Sequence, residues 1–486
     1  MKRKLLATSV CLGAYICLSS FCGFYVSKAD GTLKNKTSQV ILVRDGDRTV
    51  ITMYNDFKGN LKDFAMVVPV PVVLQKKDVK VVDNGIFQRL NDYSAPRLVE
   101  YYDENPCSRR MYEKEDMKSV AKADSGPVAN AYATAKRKNV TIEAQYTVGE
   151  YDILILSALE SAGLKTWLTE NDYKIPAGAE EVLDPYIKSN LKFFVVKVNV
   201  AEQKKLNTEF LRPLQIKFTS PKFMLPIRLG MANADGDQDM LVYAFTKSGR
   251  VETTNYRSIS VPTGKNVPLF VQPAFTRFYS GLFENTWNKE GKSASFLEYA
   301  WDVSPANYVK CDPCVSNPPD YNDLVQAGVW WIKNDNYDNY VNEYEADKGK
   351  VFFTRLHIRY NRKSFPQDLM FQTTPNTESF QARYIITHPA QGDLSCVEGK
   401  KYLKELKERR KKEMEMLAYL TGKDMYEWSD DAAKTEEEQS PEAMYASIMP
   451  EVQQPPKGKN KLPTGLIVFS AVMLGSAGFL RWRGFI

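Results

Sequence analysis

The clearest periodic signal near the start of the chain is a short apolar run that turns back on itself. Val40, Ile41, Leu42 and Val43 lead into Arg44-Asp45-Gly46-Asp47, and the return segment to residue 54 is rich in β-branched residues, a pattern that predicts a β-hairpin turning on Asp-Gly. Further strands are predicted at 64–68, ended by Pro69 and Pro71, and at 79–82, so residues 21–125 read as a β-rich, sandwich-like region. Residues 85–90 and 109–118 read as short helices around Cys107, and the small, polar stretch 126–145 reads as a spacer. Apolar runs at 151–156, 193–200, 213–219 and 241–246 read as buried strands. Residues 164–170 and 179–188 have helical spacing on either side of Pro176. Residues 146–396 therefore form the α+β body of an α+β protein.

Two later segments are sharper. In 350–360, Phe352, Leu356, Ile358 and Tyr360 share one face of a strand, and Arg355, His357 and Arg359 share the other. Residues 397–422 read as a charged helix with Leu403, Leu406, Leu417 and Leu420 on a narrow stripe and Gly422 as its cap. Beyond it the chain turns acidic and then proline-rich, so 429–464 read as a disordered stalk.

The two ends carry targeting signals. Lys2, Arg3 and Lys4 precede an apolar run to Leu18 and the small residues Ser19 and Ser20, the outline of a signal peptide over 1–20. Residues 465–482, between a lysine-bearing stretch and Arg481 and Arg483, read as a single transmembrane anchor. With the body exported, that leaves a very short cytoplasmic C-terminus. These ends account for most of the formal net charge of +6, so the intervening body is close to neutral and nucleic acid is not expected as a partner. The membrane, through the C-terminal helix, and an envelope protein or glycan are the expected partners.

Composition excludes collagen, wholesale disorder and a polytopic membrane protein, and two histidines argue against a rich metal or acid-base site. No cofactor is expected. Loss of Cys11 and Cys17 with the signal peptide leaves Cys22, Cys107, Cys311, Cys314 and Cys396 as disulfide candidates, in a pairing that spacing does not decide. Cys311-Asp312-Pro313-Cys314 could also exchange disulfides, but the prolines after it describe a loop, and a structural bridge is the expectation. Asp235, Asp237 and Asp239 at alternate positions form a weak calcium candidate, since Met240 and Thr246 stand where a calcium loop needs glycine and glutamate. Arg355, His357 and Arg359 could grip a carboxylate or phosphate, with the His357 pKa pushed down by its like-charged neighbours, or form an outer face paired with acidic residues.

Phe21-Cys22-Gly23-Phe24-Tyr25, Val43-Arg44-Asp45-Gly46-Asp47-Arg48-Thr49, Val67-Val68-Pro69-Val70-Pro71, Tyr93-Ser94-Ala95-Pro96-Arg97, Lys222-Phe223-Met224-Leu225-Pro226 and the Cys311–Cys314 motif together resemble a bacterial family of unknown function, numbered 2330. The resemblance implies an exported bacterial protein, often with a C-terminal anchor, and supplies no catalytic residue. The expectation is a membrane-anchored extracytoplasmic protein of the cell envelope with a binding or scaffolding role. The alternative is an envelope enzyme, either a thiol-disulfide protein using Cys311 and Cys314 or a hydrolase without a recognised motif.

Overall fold

The computed structural model describes residues 24–25, 38–54, 65–108, 140–171, 179–206, 211–233, 236–305, 316–332 and 349–428. The expected signal peptide, the stretch 109–139, the expected stalk and the expected anchor segment lie outside the described residues. Among the described residues no helix is long and apolar enough to cross a membrane. The described residues all belong to one compact unit.

Along the chain come the strands Ser38–Asp45 (β1), Arg48–Tyr54 (β2), Ala65–Val70 (β3) and Val79–Val81 (β4), the helix Gly85–Ser94 (α1) and the strand Arg97–Tyr102 (β5). Strands Val140–Val148 (β6) and Tyr151–Ala158 (β7), helices Ser161–Glu170 (α2) and Ala179–Lys188 (α3), and strands Lys192–Val198 (β8), Leu214–Thr219 (β9), Gln238–Thr246 (β10) and Arg257–Ser260 (β11) follow. The last major elements are helix Phe275–Lys289 (α4), strand Ala294–Asp302 (β12), helix Tyr321–Ala327 (α5), strands Phe352–Tyr360 (β13) and Arg383–His388 (β14), and helix Val397–Thr421 (α6).

The large sheet runs β11-β12-β13-β10-β1-β2-β9-β4, with Phe380–Gln381 pairing β12 off that path. The expected hairpin is β1-β2, with Gly46 at φ 55° in its turn, a conformation glycine adopts without strain. It stands in the middle of the sheet, with β10 parallel to β1 on one side and β9 antiparallel to β2 on the other. The N-terminal region and the α+β body, expected as successive parts, thus share one sheet.

That position explains the apolar run 40–43. Val40 and Leu42 enter a core shared with β3, β7 and β8 of a five-stranded sheet, while Ile41 and Val43 pack under α1 and α5. Both faces are buried, so alternation gives way to a continuous apolar run. On its far side the five-stranded sheet is covered by α2 and α3, through Leu164, Leu168, Leu183 and Tyr186. The layers are therefore helices, sheet, sheet, helices.

Two local expectations are corrected. Residues 140–148, placed in or just beyond the spacer, are β6, the edge strand of the five-stranded sheet, whose thin apolar signal reflects its half-exposed side chains. Pro69 does not end its strand but pairs in register with Phe193 of β8. On the other side of β3, Phe24–Tyr25 reaches only Val67 and Met66, so the missing proline N–H falls where that short strand asks for no hydrogen bond. Helix α6 ends as expected, with Gly422 left-handed at φ 66°, and its buried Leu406, Leu417 and Leu420 dock it on the body. Two of its four consecutive basic residues turn inward: Arg409 pairs with Asp103, and Arg410 meets Glu413 at 2.6 Å and the Thr387 carbonyl at 2.8 Å.

Candidate functional site

The central strand β13 has β12 on one side and β10 on the other. Its face of Leu356, Ile358 and Tyr360 lies in the core between the two sheets, as the alternation predicts. Arg355, His357 and Arg359 point the other way. That face is not an outer surface: α1 and α4 cover it.

Cross-strand register brings acids to these bases. On β10, Asp239 lies directly opposite Arg359 and Tyr243 opposite Arg355. On β12 the register shifts: Leu297 pairs with Leu356, yet Tyr299 pairs with Arg355, so Glu298 is an extra residue in a β-bulge. A bulge re-aims a side chain, and here it places both Glu298 and Tyr299 on the helix-covered face.

The carboxylate of Glu298, 1% exposed, is the hub. Its Oε2 accepts from Arg355 Nε at 2.7 Å, and its Oε1 accepts from His357 Nδ1 at 2.9 Å and from the Tyr279 hydroxyl of α4 at 2.5 Å. Arg355 Nη1 donates onward to Asn91 Oδ1 at 3.0 Å and Ser94 Oγ at 3.3 Å on α1. The other His357 nitrogen, Nε2, meets Asp239 Oδ1 at 3.2 Å. Arg359 grips Asp239 with a fork, Nε to Oδ1 at 2.8 Å and Nη2 to Oδ2 at 3.0 Å. Phe283 of α4 stacks on the His357 ring at 3.8 Å, and Trp287 Nε1 donates to the Arg359 carbonyl at 3.1 Å. The network is buried at Arg355 and opens toward Arg359 and Asp239, whose side chains are 24% and 30% exposed.

Its electrostatics reverse the expectation for His357. Burial alone would lower the imidazole pKa, but Glu298 and Asp239 outweigh it and push the value up to about 9. Sequence spacing shows the two arginines beside the histidine and not the carboxylates across the strands. Burial would likewise raise Glu298, but Arg355 and His357 pull it down to about 2. Asp239 is also held below the ordinary carboxylate range, by His357 and Arg359 against the effect of burial. At neutral pH the site is therefore imidazolium, two guanidinia and two carboxylates, and both ring N–H groups are engaged. A protonated imidazole has no lone pair with which to accept a proton and both its N–H groups are held by carboxylates, so the arrangement ties β10, β12, β13, α1 and α4 together.

The sign of the pH dependence follows. Unfolded, His357 titrates near 6.5; folded, near 9, so its contribution is complete below about pH 6.5 and lost as pH rises through 9. At about 1.4 kcal/mol per pH unit this is about 3 kcal/mol. The depressed Glu298 contributes fully above its unfolded value of 4.5 and loses that contribution as pH falls toward 2. Stability measured by urea unfolding should peak between about pH 4.5 and 6.5 and fall toward pH 9, and His357→Gln should flatten the alkaline limb. An unchanged alkaline limb in that variant would refute the assignment.

The other predicted residues fall differently. Cys107 and Cys396 are bonded to each other across 289 residues. Cys22, Cys311 and Cys314 lie outside the described residues, as does Asp235. Of the remaining calcium candidates, Asp237 accepts from Asn361 Nδ2 while Asp239 is committed to Arg359 and His357, so the two carboxylates do not converge on one point. Among the described residues no group of three or more His, Cys, Asp or Glu side chains is placed to hold a metal ion. His388 ends β14, meets Glu100 Oε2 at 3.0 Å and stacks on Tyr102 at 4.4 Å. Glu298, Tyr279 and Asn91 were not visible as partners. Glu298 sits where the bulge interrupts the alternation of Phe296, Tyr299 and Trp301, the signal that would otherwise have marked β12.

A family profile described as an uncharacterized protein conserved in bacteria (DUF2330) matches residues 16–372. No curated protein and no solved structure matches.

Proposed function

The chain belongs to the uncharacterized bacterial family DUF2330, and from that premise we propose that it is a binding or scaffolding protein of the bacterial cell envelope. In this reading the body is exported by residues 1–20 and tethered to a membrane by residues 465–482, with the stalk between them. The observation that carries it is the Cys107–Cys396 bond, a cross-link between distant parts of the body. Such bonds form and persist in oxidising, extracytoplasmic compartments and are rare in the reducing cytosol. The His357 network favours a binder over a hydrolase, because its charges are satisfied by one another.

Trapping thiols in intact cells with a membrane-permeant alkylating reagent, followed by fractionation and peptide mass mapping, tests the placement. The full chain should be recovered with the membranes, with Cys107 and Cys396 in one linked, unalkylated peptide pair. An epitope after Ile486 should resist protease added to spheroplasts while the body is digested. Recovery in the cytosol with both cysteines alkylated would sink the proposal.

A further inference from the structure

A second cluster of charge lies at the other end of the large sheet, where the helical layer stops short. Arg48 of β2, Lys217 of β9 and Lys80 of β4 share the face of the sheet that carries Val50. By register Thr219 is opposite Arg48, Lys217 opposite Val50 and Gln215 opposite Lys80, so the three cations form a diagonal row across three adjacent strands. Diagonal neighbours on such a face are about 7–8 Å apart. Together with Lys77 and Trp330 they line a cavity of about 270 Å³.

The roof of this cavity is fixed from the sheet. Gln215 Nε2, on the same face, donates to Thr52 Oγ1 at 2.7 Å and to the Gln326 carbonyl at 3.0 Å, which ties down the end of α5. Gly328 caps that helix at φ 108°, and a Cβ there would meet Val50 Cγ1 at 2.7 Å, so only glycine lets the chain pass this close. Two residues later Trp330 lies over the Arg48 guanidinium, 4.1 Å from ring centroid to carbon.

The cations here are not each matched to a carboxylate as they are around Glu298. Against four cations the cavity has one carboxylate, Asp78, and it stands 3.9 Å from Lys217 with its other oxygen accepting from the Gln75 amide. Arg48, Lys77 and Lys80 have no ion pair among the described residues. Burial and then the like charge of Lys217 lower the Lys80 pKa, the mark of a cation crowded without a counter-charge.

We propose that this cavity binds a phosphate-type oxyanion, held by Arg48, Lys80 and Lys217 against the wall formed by Trp330. A phosphate group carries close to two negative charges and several acceptor oxygens, which suits a row of cations better than one carboxylate does. The volume is just under the usual range of small-molecule pockets, roughly 300–1,000 Å³, and fits a charged group rather than a whole cofactor. The group could be a soluble phosphate or the headgroup of an anionic lipid. The site is part of the folded body, so it stands or falls independently of where in the cell the protein resides.

Calorimetric titration of the purified full chain with inorganic pyrophosphate at low ionic strength tests it. Binding is expected, with a change in Trp330 fluorescence that Trp330→Phe abolishes. Each of Arg48→Met, Lys80→Met and Lys217→Met should weaken it by about tenfold, while Lys401→Gln on exposed α6 should leave it unchanged. Matching urea midpoints would show that the variants remain folded, and Lys80→Arg should retain binding if positive charge is the requirement. Sedimentation with phosphatidylglycerol against phosphatidylcholine vesicles separates the two sources, because the apolar C-terminal segment is common to both measurements. A preference for phosphatidylglycerol that pyrophosphate competes away identifies a headgroup; equal sedimentation with pyrophosphate binding intact identifies a soluble phosphate. Absence of binding at millimolar pyrophosphate, or equal affinity in the triple variant lacking all three cations, would overturn the proposal.

Discussion

Replacing Arg355 by methionine is expected to destabilise the folded protein by about 3–5 kcal/mol, the range found when one partner of a buried ion pair is removed. The size follows from what stays behind. Glu298 would keep His357 and Tyr279 but lose its closest full charge, at 2.7 Å, in a position 1% exposed. Asn91 and Ser94 would also lose the guanidinium that joins α1 to the sheet. Glu298→Gln should cost less on the Arg355→Met background than in the wild type, because the charge it removes has then already lost its guanidinium partner. A urea unfolding series on the four proteins measures this coupling. A loss below about 1 kcal/mol for Arg355→Met would show that water reaches the site and screens it as at a surface.

Removing the cross-link should have an effect of similar size. The paired variant Cys107→Ser and Cys396→Ser is expected to lose about 2–5 kcal/mol, because a bridge closing so long a loop restricts the unfolded chain strongly. The loss also has a local side in the native state. Cys396 is the N-cap of α6, its Sγ accepting from the Gly399 amide at 3.2 Å. Gly399 sits against Cys107 Sγ and the Leu394 carbonyl with no room for a Cβ. Without the bridge, the first turn of α6 would rest on the Tyr402 hydroxyl, which donates to Asp103 at 2.7 Å, and on Arg409. Hydrogen exchange should therefore quicken in that turn and little near Leu417 and Leu420, which remain buried. Equal protection along the whole helix in both forms would contradict this.

The elements legible in advance were those whose side chains meet one continuous environment. The hairpin at Gly46, the face of Leu356, Ile358 and Tyr360, and the leucine stripe of α6 closed by Gly422 each repeat a short period, and period is what a linear chain displays. Helix α4 and strand β12 were not read. In β12 the bulge at Glu298 breaks the two-residue period, and in α4 the partly buried Phe275 and Tyr279 and the buried Trp287 serve contacts on more than one side. Strand β6, half-exposed at a sheet edge, carried too little apolar contrast to stand out.

The candidate site shows the same division. Sequence alone determined that Arg355, His357 and Arg359 share a face, because side chains alternate along any strand. It also determined the α+β character, the family resemblance and the near-neutral charge of the body. Only the tertiary structure decided what that face meets. Glu298 and Asp239 are 59 and 118 positions from His357 along the chain, and cross-strand register, set by packing of the whole sheet, brings them within hydrogen-bonding distance. The same register separates a cluster around Glu298, in which every cation meets a carboxylate, from the row of Arg48, Lys217 and Lys80. Charge is a property of each residue, but the field it makes depends on which strands lie side by side.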